Sequence, residues 1–170
     1  MIFLGLGSNL PSKFGNRFKN INLAISNLEQ NNVKVIKKSS FYETPSYPDF
    51  KNPKFINVVI SVISELSPSD LASVLISIET KLQRKRDRKN DPRTCDIDII
   101  DFNNEIINFK CKNLDFAVPH KKASYRNFVL YPLEEICPNW IHPVSKKPIS
   151  ILIKNLSKED NNSILKVKKT

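Results

Sequence analysis

The chain has 170 residues, 40% hydrophobic and 26% charged, which suits one globular domain able to bury a core without covalent staples. Its net charge of +10 points to an anionic partner (nucleic acid, membrane surface or a phosphorylated small molecule) without choosing among them, and a general lysine bias accounts for it equally well. Cys95, Cys111 and Cys137 are far apart with no CxxC spacing, and no run approaches the roughly 20 apolar residues of a membrane span; this argues against a disulfide framework, a zinc site or a membrane protein, and makes a reducing cytoplasm the expected compartment.

In chain order, Met1–Leu6 reads as a buried strand closed by Gly7-Ser8-Asn9. The apolar spacing over Asn16–Gln30 predicts an amphipathic helix. Val33–Glu43 is β-rich with an irregular middle, and the prolines of Thr44–Lys54 require a loop. Phe55–Leu66 is rich in β-branched residues and predicts a central strand. Ser67-Pro68-Ser69-Asp70 is a helix start, with Ser67 as cap and Pro68 in the first turn; the helix is expected to run to about Lys85. A charged loop spans Lys85–Pro92, and Thr94–Phe102 is again strand-like, with Asn103-Asn104 turning it back into Glu105–Phe109. Helices are expected over about Tyr125–Cys137 and Pro148–Asn155, and Ser157–Thr170 reads as a polar, lysine-rich, loosely packed tail after a single domain over residues 1–156. This order predicts an α+β fold: an αβα sandwich with a ferredoxin-like core and a mixed, mainly antiparallel sheet. All three glycines fall in the first fifteen residues, so a glycine-rich phosphate loop is absent.

The sharpest chemical signal is Asp96-Ile97-Asp98. Two aspartates at i and i+2 in a strand share one face, while Cys95, Ile97 and Ile99 point into the core. Adjacent like charges are costly unless a cation joins them, and Mg²⁺ favours one or two carboxylates together with substrate phosphates. A solvated polar strand face is the plain alternative. Arg84, Arg86, Arg88, Arg93 and Arg126 supply guanidinium groups that fit phosphate oxygens and offset charge in phosphoryl transfer. His120, after Pro119 and before two lysines, suits an anion pocket; His142, beside Trp140, reads as structural. Asn57 inside an apolar strand needs hydrogen-bond partners that a flat heterocycle could provide, with nearby aromatics to stack on it.

Taken together, Gly7-Ser8-Asn9-Leu10, Phe41-Tyr42-Glu43-Thr44-Pro45, Phe55-Ile56-Asn57, Glu79 with Arg84 and Arg86, Pro92 to Asp98, Pro119-His120, Arg126 to Leu130 and Pro132-Leu133 resemble the 6-hydroxymethyl-7,8-dihydropterin pyrophosphokinase family, from about Ile2 to Asn155. The resemblance implies an ATP-dependent diphosphokinase of folate biosynthesis that releases AMP. It implies two Mg²⁺ ions on Asp96 and Asp98, with Arg84 and Arg93 also catalytic. ATP would be held by Glu79, Arg84, Arg86, Arg93, His120, Arg126 and the backbone at Ile99. The pterin would be held by Thr44, Pro45, Tyr47, Phe55, Asn57 and a stacking Phe128. The Arg84–Pro92 loop would act as a lid. The enzyme is expected to be a monomer without nucleic-acid or membrane partners. The chain departs from the family at Lys89-Asn90-Asp91-Pro92-Arg93, which lacks the usual tryptophan and is one residue shorter, at Lys121, and at Phe55, where tyrosine is common. A nucleic-acid-binding ferredoxin-like module, an inert relative and a phosphotransferase for another heterocycle remain the alternatives.

Overall fold

The computed structural model describes residues 1–86 and 90–168. The first strand, β1 (Ile2–Ser8), lies between β5 (Asp96–Phe102) and β4 (Phe55–Ile63), and β4 in turn pairs with β2 (Lys34–Lys38) and β3 (Phe41–Thr44). Every pairing described in this sheet is antiparallel, and the strand order is that of a ferredoxin-like core. The α+β expectation holds, with an antiparallel rather than mixed sheet among the described residues.

Strand alternation divides the sheet between two cores. Leu4, Leu6, Val58, Ile60, Ile97 and Ile99 face one side, where α1 (Arg17–Gln30) and α2 (Pro68–Lys81) pack. Phe3, Val59 and Ile100 face the other, beneath α3 (Asn127–Ile136) and α4 (Ile149–Lys154). Each fully buried aliphatic side chain here contributes about 1.5–3 kcal/mol relative to exposure. The cap read from the sequence forms, with Ser67 accepting from the Asp70 N–H at 3.1 Å; Asn16 caps α1 in the same way, accepting from the Lys19 N–H at 3.0 Å.

Several boundaries move. The strand expected over Val33–Glu43 breaks at Ser39-Ser40, because the Ser39 N–H donates to the Val59 carbonyl while its hydroxyl accepts from the Val59 N–H. Helix α2 stops at Lys81 rather than near Lys85, since Gln83 adopts φ 68° and the Arg84 N–H turns back to the Glu79 carbonyl. The hairpin expected after Phe102 does not pair with β5. Instead β6 (Ile107–Cys111) pairs with β7 (Leu114–Val118) as a separate ribbon, closed by stacked Phe109 and Phe116 at 5.2 Å. After β7 the chain returns to β5, where the His120 N–H donates to the Ile100 carbonyl.

The C-terminal segment is also ordered where a loose tail was expected. Helix α5 (Lys158–Asn162) is capped by Ser157, and β8 (Leu165–Val167) pairs with β3 to cover the sheet edge. Arg88, Lys89, the middle of the expected lid, and Lys169 and Thr170 lie outside the described residues.

Candidate active site

On the α3 side, the sheet surface continues past the helices as a row of register partners. Asp96 on β5 faces Gly7 on β1, Gly7 faces Asn57 on β4, and Asn57 faces Tyr42 on β3. Asp98 lies opposite Gly5 one step along. Partners in an antiparallel ladder project to one face, so the carboxylates and the amide share a surface. Gly7 leaves the space between them open: a Cβ there would come within 3.3 Å of Asn57 Oδ1 and 3.5 Å of Phe55 Cδ1. The sequence reading puts Gly7 in the closing loop and in the family resemblance without giving it a role, although a glycine inside an apolar strand is itself a sign of close approach.

The two aspartates sit in different electrostatic settings. Asp96 receives Arg84 at 2.5 Å and Arg93 at 2.7 and 2.8 Å. Burial opposes its charge, but Arg93 and Arg84 outweigh burial and hold its carboxyl below the usual range. Asp98 has weaker company, with Arg126 at 3.4 Å and His120 Nε2 at 3.8 Å. Burial, and then the charge of Asp96, push its carboxyl up despite those cations. Burial likewise pushes His120 down, against the pull of Asp98. A doubly acidic edge with one under-neutralised carboxylate is what a cation would relieve.

Glu79 lies at the back of the cluster, 2% exposed. Its carboxylate accepts from Arg84, from Arg86 and, at 2.7 Å, from the Ile97 N–H. Burial pushes this carboxyl up to about 7 against the pull of the arginines, yet three donors converge on it, which is the setting of a carboxylate. It therefore orients Arg84 and Arg86 rather than facing an open cleft. Arg84 Nε is buried with no acceptor among the described residues, an incomplete donor set beside the acidic pair.

At the other end of the row, Asn57 is 5% exposed and donates to Thr44 Oγ1 at 3.0 Å and to the Tyr42 carbonyl at 3.3 Å. Phe55 lies beneath the Arg93 guanidinium, 5.0 Å from ring centroid to Cζ, and so joins the two ends. Arg126 covers the Phe128 ring in the same way at 5.2 Å. Thr44 is buried, whereas Tyr47 is 80% exposed in the loop and packs edge-on to Phe50; the loop joins the site through Ser46 instead. The Ile99 side chain is in the core, leaving its backbone for any contact. His142 accepts from the Val144 and Ser145 N–H groups, a structural role.

Asn9, a second residue without a role in the sequence reading, ties the two ends together. It is 2% exposed, donates to Ser46 Oγ and the Pro53 carbonyl, and accepts from the Arg93 N–H at 2.7 Å. Its place in Gly7-Ser8-Asn9-Leu10 marks the position but not this role, since its partners are distant in the chain.

The family model described as 7,8-dihydro-6-hydroxymethylpterin-pyrophosphokinase (HPPK) matches residues 3–138. The chain belongs to the HPPK family. It is similar to the 2-amino-4-hydroxy-6-hydroxymethyldihydropteridine pyrophosphokinase of Aquifex aeolicus, 36% identical over 87% of each protein. It is similar to the enzyme of the same description from Helicobacter pylori, 40% identical over 78% of each. It also matches a Pneumocystis carinii folic acid synthesis protein, at 35% identity over 96% of this chain but 21% of that one. Among solved structures, a Plasmodium falciparum HPPK-DHPS protein crystallised with pteroate superposes with a TM-score of 0.79 at 16% identity, over 99% of this chain and 46% of the other. That likeness supports the HPPK fold. Among the described residues no helix is long and apolar enough to cross a membrane.

Proposed function

We propose that this surface aligns ATP and 6-hydroxymethyl-7,8-dihydropterin for transfer of a pyrophosphoryl group, with AMP leaving. The reaction class follows from family membership: the chain is an ATP-dependent pyrophosphokinase of folate biosynthesis. The observation that carries the residue assignment is the shared face of Asp96, Asp98 and Asn57 across the glycine gap.

Asp96 and Asp98 would hold two Mg²⁺ ions. Their fit to magnesium rests on the donor set: oxygen ligands only, and no group of three or more His, Cys, Asp or Glu among the described residues close enough to hold a metal by themselves, so phosphate and water oxygens must complete the shell. When bound, the ions would offset phosphate charge and lower the pKa of the pterin hydroxyl. Arg84 and Arg93 already contact Asp96; turning to the phosphates, they would stabilise the transferring group. Glu79 acts through Arg84 and Arg86, while His120, Arg126 and the backbone at Ile99 would line the nucleotide. Asn57, Thr44, Pro45, Tyr47, Phe55 and Phe128 would form the heterocycle end, with Phe128 stacking on the ring.

The test is product analysis with ATP, Mg²⁺ and hydroxymethyl-dihydropterin. AMP and the pterin diphosphate are expected in equal amounts. ADP in place of AMP, or no product with this pterin, would sink the proposal.

A further inference from the structure

Helix α3 carries Asn127, Tyr131 and Glu135 at four-residue intervals, and so on one face. All three bond to the C-terminal segment. Asn127 Nδ2 donates to the Asp160 carbonyl at 2.6 Å and to Ser163 Oγ at 3.0 Å. The Tyr131 hydroxyl donates to Asn161 Oδ1 at 2.7 Å, and Lys166 Nζ lies 3.4 Å from Glu135 Oε2. The same Glu135 oxygen accepts from the Tyr42 hydroxyl at 2.6 Å. Strand β8 places Lys166 opposite Tyr42, and Tyr42 is the register partner of Asn57.

These contacts are not those of a segment that only adds to the core. Val167 packs against the core beside Phe41, but no residue of α5 is buried and Leu165 is exposed. The side-chain contacts of the segment with α3 are polar, and those to Asn127 lie at the turn that presents the site. Asn127 is 7% exposed, its Oδ1 accepts from the Phe128 N–H at 2.6 Å, and Arg126 and Phe128 flank it. The matched family region ends at residue 138, before this segment begins.

We propose that residues 157–168 form a strap whose hydrogen bonds to Asn127 and Tyr131 position Phe128 and Arg126 over the sheet, making the C-terminal segment a determinant of pterin affinity. Asn127 is then a positioning residue, acting through its neighbours. The inference rests on the reading of Phe128 as the stacking partner of the pterin.

Steady-state kinetics of three variants test it: a chain ending at Leu156, Asn127→Asp, and the two combined. Asn127→Asp keeps the acceptor for the Phe128 N–H but removes both donors to the strap. Each change should raise the pterin KM about tenfold and leave the ATP KM within about twofold, as expected for lost positioning hydrogen bonds at one subsite. The combined variant should be no worse than the truncation alone, because the truncation already removes both partners of the Asn127 amide. Should the truncated chain fail to fold, Ser163→Ala replaces it in the same cycle, with a smaller rise expected. A fall in Tm with the pterin KM unchanged, an equal rise in both KM values, or full additivity would overturn the strap. Phe128→Ala in the intact chain separates the two readings: if it leaves the pterin KM unchanged, the stacking assignment fails and the strap with it; if it raises the pterin KM while Asn127→Asp does not, only the strap fails.

Discussion

The two ends of the site are built on opposite physical plans. The proposed phosphate end is dense in charge that is paired with itself: Arg84 bridges Glu79 and Asp96, Arg93 grips Asp96, and Arg86 grips Glu79. The proposed heterocycle end is neutral, an amide held by a hydroxyl and a carbonyl, with aromatic rings at its margin. A self-paired cluster is stable without ligand but must exchange partners to bind one, since each buried charge needs a counter-charge in both states. A neutral pocket needs no exchange and can be set in advance: Asn57 spends its amide hydrogens on Thr44 and Tyr42, and no described residue donates to its Oδ1. Phosphate-end changes should therefore act on turnover, and heterocycle-end changes on affinity.

The largest effect should come from Asp98→Ala. Losing a cation ligand should lower kcat by about 10²–10³-fold, while removing a carboxylate pressed by Asp96 leaves the fold intact. Rates at saturating substrates, with thermal unfolding as the control, check this; near-normal kcat would take the metal away from Asp98. Arg84→Ala should follow, lowering kcat about 10²-fold with the ATP KM within about threefold, if the guanidinium acts in the transition state. It should also cost about 3 kcal/mol in urea unfolding, because Glu79 keeps its burial and loses a partner. A rise in ATP KM alone would make Arg84 a binding residue and weaken the contrast.

Asn57→Ala should be milder in rate and specific in substrate. The expected result is a pterin KM raised about tenfold with kcat within about twofold. Equal losses for ATP would show that the two ends are not separable, and Asn9, which touches both loops, would be the place to look.

The smallest effect concerns pH. The folded-state carboxyl of Asp98 lies above its unfolded value, so its ionisation opposes folding above that range and the penalty disappears below the unfolded pKa. Asp98→Asn should raise Tm by about 2 °C or less at pH 7, given the partial exposure of the group, and the gain should vanish near pH 4. Asp96 has the opposite sign: its depressed pKa contributes stability above the unfolded value that is lost as pH falls through the folded one. A Tm gain for Asp98→Asn that grows on acidification would reverse the assignment.

Much of this plan is legible in the chain. Asp96 and Asp98 declare a shared face by strand period alone, and Ser67-Pro68 announces a helix start that the structure forms. Asn57 declares itself as a polar group in an apolar run. Glu79 does not reveal that its partners are arginines, because those contacts depend on Gln83 reversing the chain after α2. The folding of residues 158–167 is equally hidden, because a short, mostly polar segment gains order from partners distant in sequence. The β6–β7 hairpin is local instead; it turns at Lys112-Asn113, both at positive φ, which the sequence reading does not single out.

The sequence by itself determined which chemistries are present: adjacent acids for a cation, arginines for phosphate, an isolated amide and aromatics for a flat ring. It did so because side-chain period and residue type are local properties. Only the tertiary structure decided which groups meet. Strand register set Asp96, Gly7, Asn57 and Tyr42 in one row, and returning loops brought Asn9 to Arg93 and the C-terminal segment to Asn127. Those contacts close loops of tens of residues, and the free energy that closes them comes from the packed cores on both faces of the sheet rather than from any one segment.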